Sequence, residues 1–188
     1  MNIVINTLTA AVLFCLAGHA LAQTAAPGKP PALEQIASPA NKDTAWRPTA
    51  TQMELALSRS RAYFEARDGG RFEAAYGFFA PSQKKTVSFE EWRKSVEAFN
   101  TQAGAAQGRT LRKVTWYKDA QGRPGTYAAV DTSSAFANLA LHCGYVVWQE
   151  QPDGSFGLVR EEENVIDKAA AAKMKPGQLE QIQTQFHC

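Results

Sequence analysis

The sequence is poor in the residues that do most enzymatic chemistry. It holds three histidines and three cysteines in 188 residues. It has no Gly-x-Ser-x-Gly elbow, no His-Glu-x-x-His pair, no phosphate-binding glycine loop and no dinucleotide fingerprint, which removes the serine-hydrolase, zinc-protease, nucleotide-hydrolase and dehydrogenase readings. No metal or cofactor is called for by any motif. Charge of one sign is also lacking: 20 Lys+Arg against 18 Asp+Glu leave a formal +2. The short basic groups Lys84-Lys85 and Arg109, Arg112 and Lys113 suit a loop and a strand edge better than a nucleic-acid track, so nucleic acid is not the expected partner. No run of about 20 apolar residues exists to span a bilayer. What is present, 45% hydrophobic and 20% charged residues, is globular composition in a chain long enough for one domain with a sizeable core.

The first charged side chain is Lys29. Ile3 to Ala17 is almost wholly apolar and is followed by Ala20-Leu21-Ala22, a small-x-small cleavage pattern. Residues 1–22 read as a secretory signal peptide cut after Ala22, which places the protein in the periplasm or outside the cell. Phe14, directly before Cys15, is too large for a lipoprotein cleavage box.

Removing that leader leaves Cys143 and Cys188. Two cysteines in an exported chain suggest a disulfide tying the last residue to a central strand. A loop of this size is worth roughly 4 kcal/mol on the chain-entropy argument. The rival is a zinc set made of His142-Cys143 and His187-Cys188. Adjacent residues on a strand point to opposite faces, which counts against it.

Residues 23–48 hold five of the nine prolines and read as a Pro-rich disordered linker. Structure is expected from 49 to 166. Thr51-Gln52-Met53-Glu54 fits a capping box, and Met53, Ala56, Leu57, Ser60 and Phe64 share a helical face that Asp68-Gly69-Gly70 ends. A short second helix carries Phe72, Ala75, Tyr76 and Phe79 up to Pro81. Ser88-Phe89-Glu90-Glu91 opens a third, striped by Phe89, Trp92, Val96 and Phe99. Beyond Gly104 the period changes to strands over 109–118, 126–137, 139–151 and 155–166, with turns at Gly122-Arg123-Pro124-Gly125 and Pro152-Asp153-Gly154. The expected fold class is α+β: N-terminal helices packed on one face of a curved, antiparallel four-stranded sheet, followed by a short C-terminal helical tail over 167–188. In the third strand, Leu139, Leu141, Cys143, Tyr145 and Val147 share one face, and Ala140, His142, Gly144, Val146 and Trp148 the other. Both are largely apolar, so both should be covered, one by helices and the other by the tail or a second subunit.

The run Trp92…Gly104…Arg109-Thr110-Leu111…Pro124-Gly125-Thr126-Tyr127…Phe136-Ala137-Asn138…Asp153-Gly154-Ser155-Phe156 resembles the exported bacterial proteins grouped as domain of unknown function 4019, over roughly residues 55–166. Phe156 stands where tryptophan is usual, and Arg160-Glu161-Glu162-Glu163 replaces a Gly-Tyr. The resemblance implies a cone similar to nuclear transport factor 2, with a strongly bent sheet wrapped on helices. It implies no activity.

Some cones of that type are isomerases, dehydratases or hydrolases that use buried Asp, His and Tyr. On that template the catalytic candidates are Asp131, with His142 or Tyr117: a carboxylate to move a proton and a phenol to hold an oxyanion. Asp131 and His142 fall on neighbouring strands and are expected to meet across the ladder. Trp116, Tyr145 and Trp148 are candidate binding residues. Glu161-Glu162-Glu163 reads as a solvated, edge-protecting cluster. With no complete catalytic set, the leading expectation is an exported, non-enzymatic binding module contacting a protein partner or a small apolar ligand, with a homodimer through the sheet as one arrangement. The alternatives are a small-molecule lyase, isomerase or hydrolase built on Asp131, and an envelope accessory or immunity-type protein.

Overall fold

The structure, a computed structural model, describes residues 33–186 and 188. The signal peptide expected over 1–22, residues 23–32 of the expected linker, and His187 lie outside the described residues. The described chain runs β1 (Glu34–Ala37), α1 (Ala50–Asp68), α2 (Phe72–Gly77), α3 (Pro81–Lys84), α4 (Phe89–Ala103), β2 (Ala106–Ala120), β3 (Arg123–Phe136), β4 (Leu139–Glu150), β5 (Phe156–Asp167), α5 (Lys168–Ala171) and α6 (Gln178–Gln185). None of these helices is long and apolar enough to cross a membrane.

The class is α+β, with helices on one face of the sheet, but the expected four antiparallel strands are five. Their order is β1-β2-β3-β4-β5, and β1 lies parallel to β2, pairing Glu34–Ala37 with Lys113–Trp116. The fifth strand comes from the segment read as linker. Tertiary bonds capture it: Trp116 Nε1 donates to Gln35 Oε1 at 3.0 Å, and Asn41 Oδ1 accepts from the Lys118 backbone N–H at 2.9 Å. Ser38 and Asn41 are buried. Nor is the sheet strongly curled. Bulges bend strands, and here register shifts occur only in the β2–β3 and β4–β5 ladders. The central β3–β4 ladder runs from Tyr127↔Gln149 to Ser133↔Cys143 without one.

Helix starts follow local chemistry. Ser88 caps α4 as expected, trading bonds with Glu91. The cap of α1 is Thr49 rather than Thr51, with Gln52 closing the box. The core is built where these helices meet the sheet. Ala56, Tyr63, Phe64, Phe79, Trp92 and Val96 pack on Val114, Trp116, Ala128, Val130, Val146, Trp148, Phe156 and Leu158. The Trp148 indole donates to Ser60 Oγ at 2.8 Å, so the only polar atom of a fully buried tryptophan is satisfied.

Beyond β5 the chain turns through α5 and α6, neither of which buries a residue. Cys188 is joined to Cys143 of β4 by a disulfide spanning 45 positions, with Cα atoms 5.7 Å apart. That pairing removes the zinc reading, because both thiols are used. A crosslink stabilises by limiting the unfolded chain. Once this one is cut, the native arm also regains freedom, and most of the difference cancels. The double variant Cys143→Ser/Cys188→Ser should therefore lose only about 1 kcal/mol, well short of the roughly 4 kcal/mol of the chain-entropy argument. Urea midpoints of variant and parent measure it, and a loss near the full value would mean that the arm is an integral part of the fold. Thiol titration of the denatured, unreduced parent should detect no free thiol.

Candidate functional site

Strand alternation sorts the candidates onto two faces of the sheet. Trp116, Val146 and Trp148 point under the helices and are fully buried. Trp116 and Trp148 are thus core residues and not ligand contacts. Their size and unbroken burial explain why: each fills the layer between sheet and helix. No apolar surface patch forms at Val146 or Trp148 either.

Tyr117, Asp131 and Tyr145 lie on the opposite face, away from α1 and α4, where they line a groove of about 680 Å³ together with Tyr127, Ala129 and Val147. Phe186 from the C-terminal arm closes one side, and Cys143 lies in the floor. Two pairs of charged groups stand in and beside the groove. Lys113 Nζ sits 3.4 Å from Asp131 Oδ2, and Arg160 bonds Glu162. Burial, helped by a bond to Glu162, pushes the Tyr145 phenol up. Tyr127 accepts a bond from Gln149 Nε2 at 3.1 Å and donates to the Pro124 carbonyl at 3.0 Å.

The expected Asp131–His142 pair does not form. Asp131 stands opposite Tyr145 in the ladder, three positions from His142. An odd offset puts two side chains on opposite faces. His142 points inward and its side chain has no exposure at all, whereas that of Asp131 is 36% exposed. Asp131 and Tyr117 share the groove, but Asp131 faces Lys113 on β2. Tyr117 lies four residues further along, about 13 Å at the usual rise. Neither pair reaches hydrogen-bond distance.

A second group lies on the inner face. Glu161 and Glu163, read as solvated edge charges, point towards α1 with side chains only 18% and 19% exposed. Arg67 of α1 reaches both. It grips Glu163 with two bonds of 2.6 and 3.1 Å and lies 3.2 Å from Glu161. Tyr63, one turn earlier, donates to Glu161 Oε2 at 2.6 Å. His142 Nε2 approaches Glu163 Oε1 to 3.2 Å without a well-aligned bond, and its Nδ1 has no partner. Burial pushes the Glu161 carboxyl up against the pull of Arg67. Burial alone would raise Glu163 too, but His142 and Arg67 bring it down to about 2. Burial and the neighbouring Glu161 push the Tyr63 phenol well above its usual range. Beside this group Arg109 forks onto Asp68 at 3.0 and 3.1 Å and stacks 3.8 Å from the Phe64 ring. The pattern was partly readable: Ser60, Phe64 and Arg67 continue one helical stripe, and Glu161 and Glu163 share a strand face. A buried arginine joining them needs the tertiary fold to be seen.

The inner group borders a cleft of about 330 Å³ between α4 and β5, lined in part by Phe79, Trp92, Phe99, Arg67, Glu161 and Glu163. His142 is not among the lining residues and meets the cleft only through Glu163. Among the described residues no group of three or more His, Cys, Asp and Glu is placed to hold a metal.

The chain belongs to the family described as Protein of unknown function (DUF4019), which matches residues 59–160. That span contains Tyr117, Asp131 and Tyr145 but stops before Glu161 and Glu163. No curated protein sequence matches the chain. Among solved structures, it is similar to a Streptomyces avermitilis protein of the NTF2-like family described provisionally as a dehydratase. The two share 16% identity, 62% of this chain and 97% of the other are covered, and the TM-score is 0.44. A Novosphingobium aromaticivorans protein described provisionally as a scytalone dehydratase shows 11% identity, 62% and 85% coverage and a TM-score of 0.40. A Catenulispora acidiphila structure shows 14%, 66% and 97%, and 0.44.

Proposed function

We propose that the protein is an exported, non-enzymatic binding module that holds a small, largely apolar ligand in the groove on the face of its sheet away from α1 and α4. The observation that carries this reading is the groove itself: about 680 Å³, walled by Tyr117, Tyr127 and Tyr145 with Ala129 and Val147 between them. Sites of this size and lining, apolar with a few polar anchors, are the usual form of small-molecule pockets. Asp131 is held by Lys113 and has no acid–base partner within reach, which supports binding over proton transfer. The arm fastened to the groove floor at Cys143 obstructs the flat approach that a protein partner or a second copy needs, which favours a small molecule over either. Export is supported by the disulfide, a bond that persists in oxidising compartments.

The test uses N-phenyl-1-naphthylamine, a neutral apolar dye that brightens when shielded from water. The disulfide-bonded protein should bind it at one site. Val147→Glu, which puts a carboxylate between the tyrosines, should weaken binding at least tenfold while leaving the melting temperature within a few degrees. Equal binding by parent and variant, or none by either, would defeat the reading. A dimer that Val147→Glu dissociates would replace it with self-association.

A further inference from the structure

We propose that the cleft between α4 and β5 binds a small organic cation, an ammonium group carried on an apolar body. This site lies on the inner face of the sheet, and Arg160 at its margin also borders the groove. Its basis is a charge imbalance in a half-buried place. Three guanidinium groups lie in or beside the cleft, those of Arg67, Arg109 and Arg160, against the carboxylates of Asp68, Glu161, Glu162 and Glu163, with the His142 imidazole 3.2 Å from Glu163. Arg109 is used by Asp68 and Arg160 by Glu162. Arg67 must then serve Glu161 and Glu163 together, and its two-pronged grip goes to Glu163. Glu161, whose Oε1 lies 3.2 Å from Arg67 Nη1, has only a share of that guanidinium. Its Oε1 is buried and accepts no hydrogen bond.

Isolated buried charge is costly, and a protein supplies a counter-charge or takes up a proton. The cleft is shaped for the first solution. Phe79, Trp92 and Phe99 contribute to the lining beside the two carboxylates, and the Arg67 guanidinium already lies 5.2 Å from the Phe99 ring centroid. Aromatic faces attract cations and add to a carboxylate's pull, most of all for quaternary ammonium groups too weakly hydrated to prefer water. An anion would meet Glu161 and be repelled. A neutral apolar molecule would leave the imbalance in place. The volume, about 330 Å³, is at the small end of ligand pockets.

The probe is choline, compared with 3,3-dimethylbutan-1-ol, which has the same shape with carbon in place of the charged nitrogen. Both are titrated into the disulfide-bonded protein while the Trp92 indole N–H is followed by NMR. Choline should give a saturable shift at least tenfold tighter than the alcohol and weakening with salt. Glu161→Gln should reduce choline binding at least tenfold. It keeps an acceptor for Tyr63 and leaves Arg67 wholly to Glu163, so its melting temperature should equal or exceed that of the parent. Ser95→Lys, on the α4 wall of the cleft, supplies an ammonium from the protein and should likewise abolish binding in a folded chain. Val147→Glu should leave choline binding unchanged. Equal affinity for choline and the alcohol, no saturable shift, or choline binding unaffected by both cleft variants would overturn the proposal.

Discussion

Replacing Arg67 with methionine is expected to destabilise the protein by about 3–5 kcal/mol at neutral pH, the range seen when one partner of a buried ion pair is removed. Methionine keeps the apolar stem that packs under α1, so lost volume contributes little. The cost comes from what is left behind: Glu161 and Glu163 held together with only the Tyr63 hydroxyl and His142 for company. The pH dependence separates this cause from a packing defect. In the parent, Glu163 lies at about 2, below its unfolded value near 4.3. Its contribution is complete above the unfolded value and is lost as pH falls towards 2. Glu161 is raised, so its contribution has the opposite sign: present in acid and lost as pH climbs through its folded value. Removing Arg67 takes away a pull that lowers both carboxyls, so Glu161 rises further and Glu163, left with His142, moves up as well, which shifts the pair towards the second pattern. Arg67→Met should therefore be relatively more stable near pH 4 than at pH 7, reversing the parent's trend in urea midpoints. Adding Glu161→Gln and Glu163→Gln should recover most of the loss, because neutral amides need no counter-charge. A variant that stays within 1 kcal/mol of the parent and keeps its pH trend would show that the cluster is open to water.

The features legible in the sequence are those decided within a few residues. Ser88 and Glu91 cap each other across one turn, and the alternation of β4 correctly separates Val146 and Trp148 from Tyr145 and Val147. Legibility fails where distant segments decide. Thr49…Gln52 and Thr51…Glu54 both satisfy the capping rule, and no local preference chooses between them. In the fold, Gln52 Nε2 also donates to Glu150 Oε1 at 2.9 Å, a bond that ties the earlier start of α1 to β4. Glu34–Ala37 has too few residues and too many nearby prolines to read as a strand, and it becomes one only because β2 offers an unpaired edge. Asp131 and His142 were placed on the right strands, but parity across a ladder depends on register, and register depends on the turn at Asn138 and on bulges that composition does not reveal. Arg67 is the hardest case. A helical arginine reads as solvent-facing, and only the two carboxylates brought over by β5 make its burial tolerable.

The position of those carboxylates rests on one residue without a side chain, and Gly144→Ala is expected to displace them. Gly144 pairs with Glu163 across the β4–β5 ladder. A methyl group there would overlap the Glu162 carbonyl oxygen and come within 2.9 Å of Glu162 C and Glu163 Cα. These are backbone atoms, so no side-chain rotation relieves the clash. Either β5 shifts away or β4 does, and β4 is the more constrained because it is paired on both sides whereas β5 is an edge strand. A shift of β5 draws Glu163 out of its two-pronged contact with Arg67 and adds the cost of a loosened buried ion pair to the overpacking. The combined loss should reach or exceed the top of the roughly 1–3 kcal/mol range for overpacked sites. Gly108→Ala on β2, where an added methyl meets nothing within 4 Å, is the control and should change stability by no more than about 0.5 kcal/mol. Chemical denaturation of the two variants compares them directly. A Gly144→Ala protein as stable as the Gly108→Ala protein would mean that β5 yields freely, and the charge imbalance at Glu161 would then relax by strand movement without a bound cation.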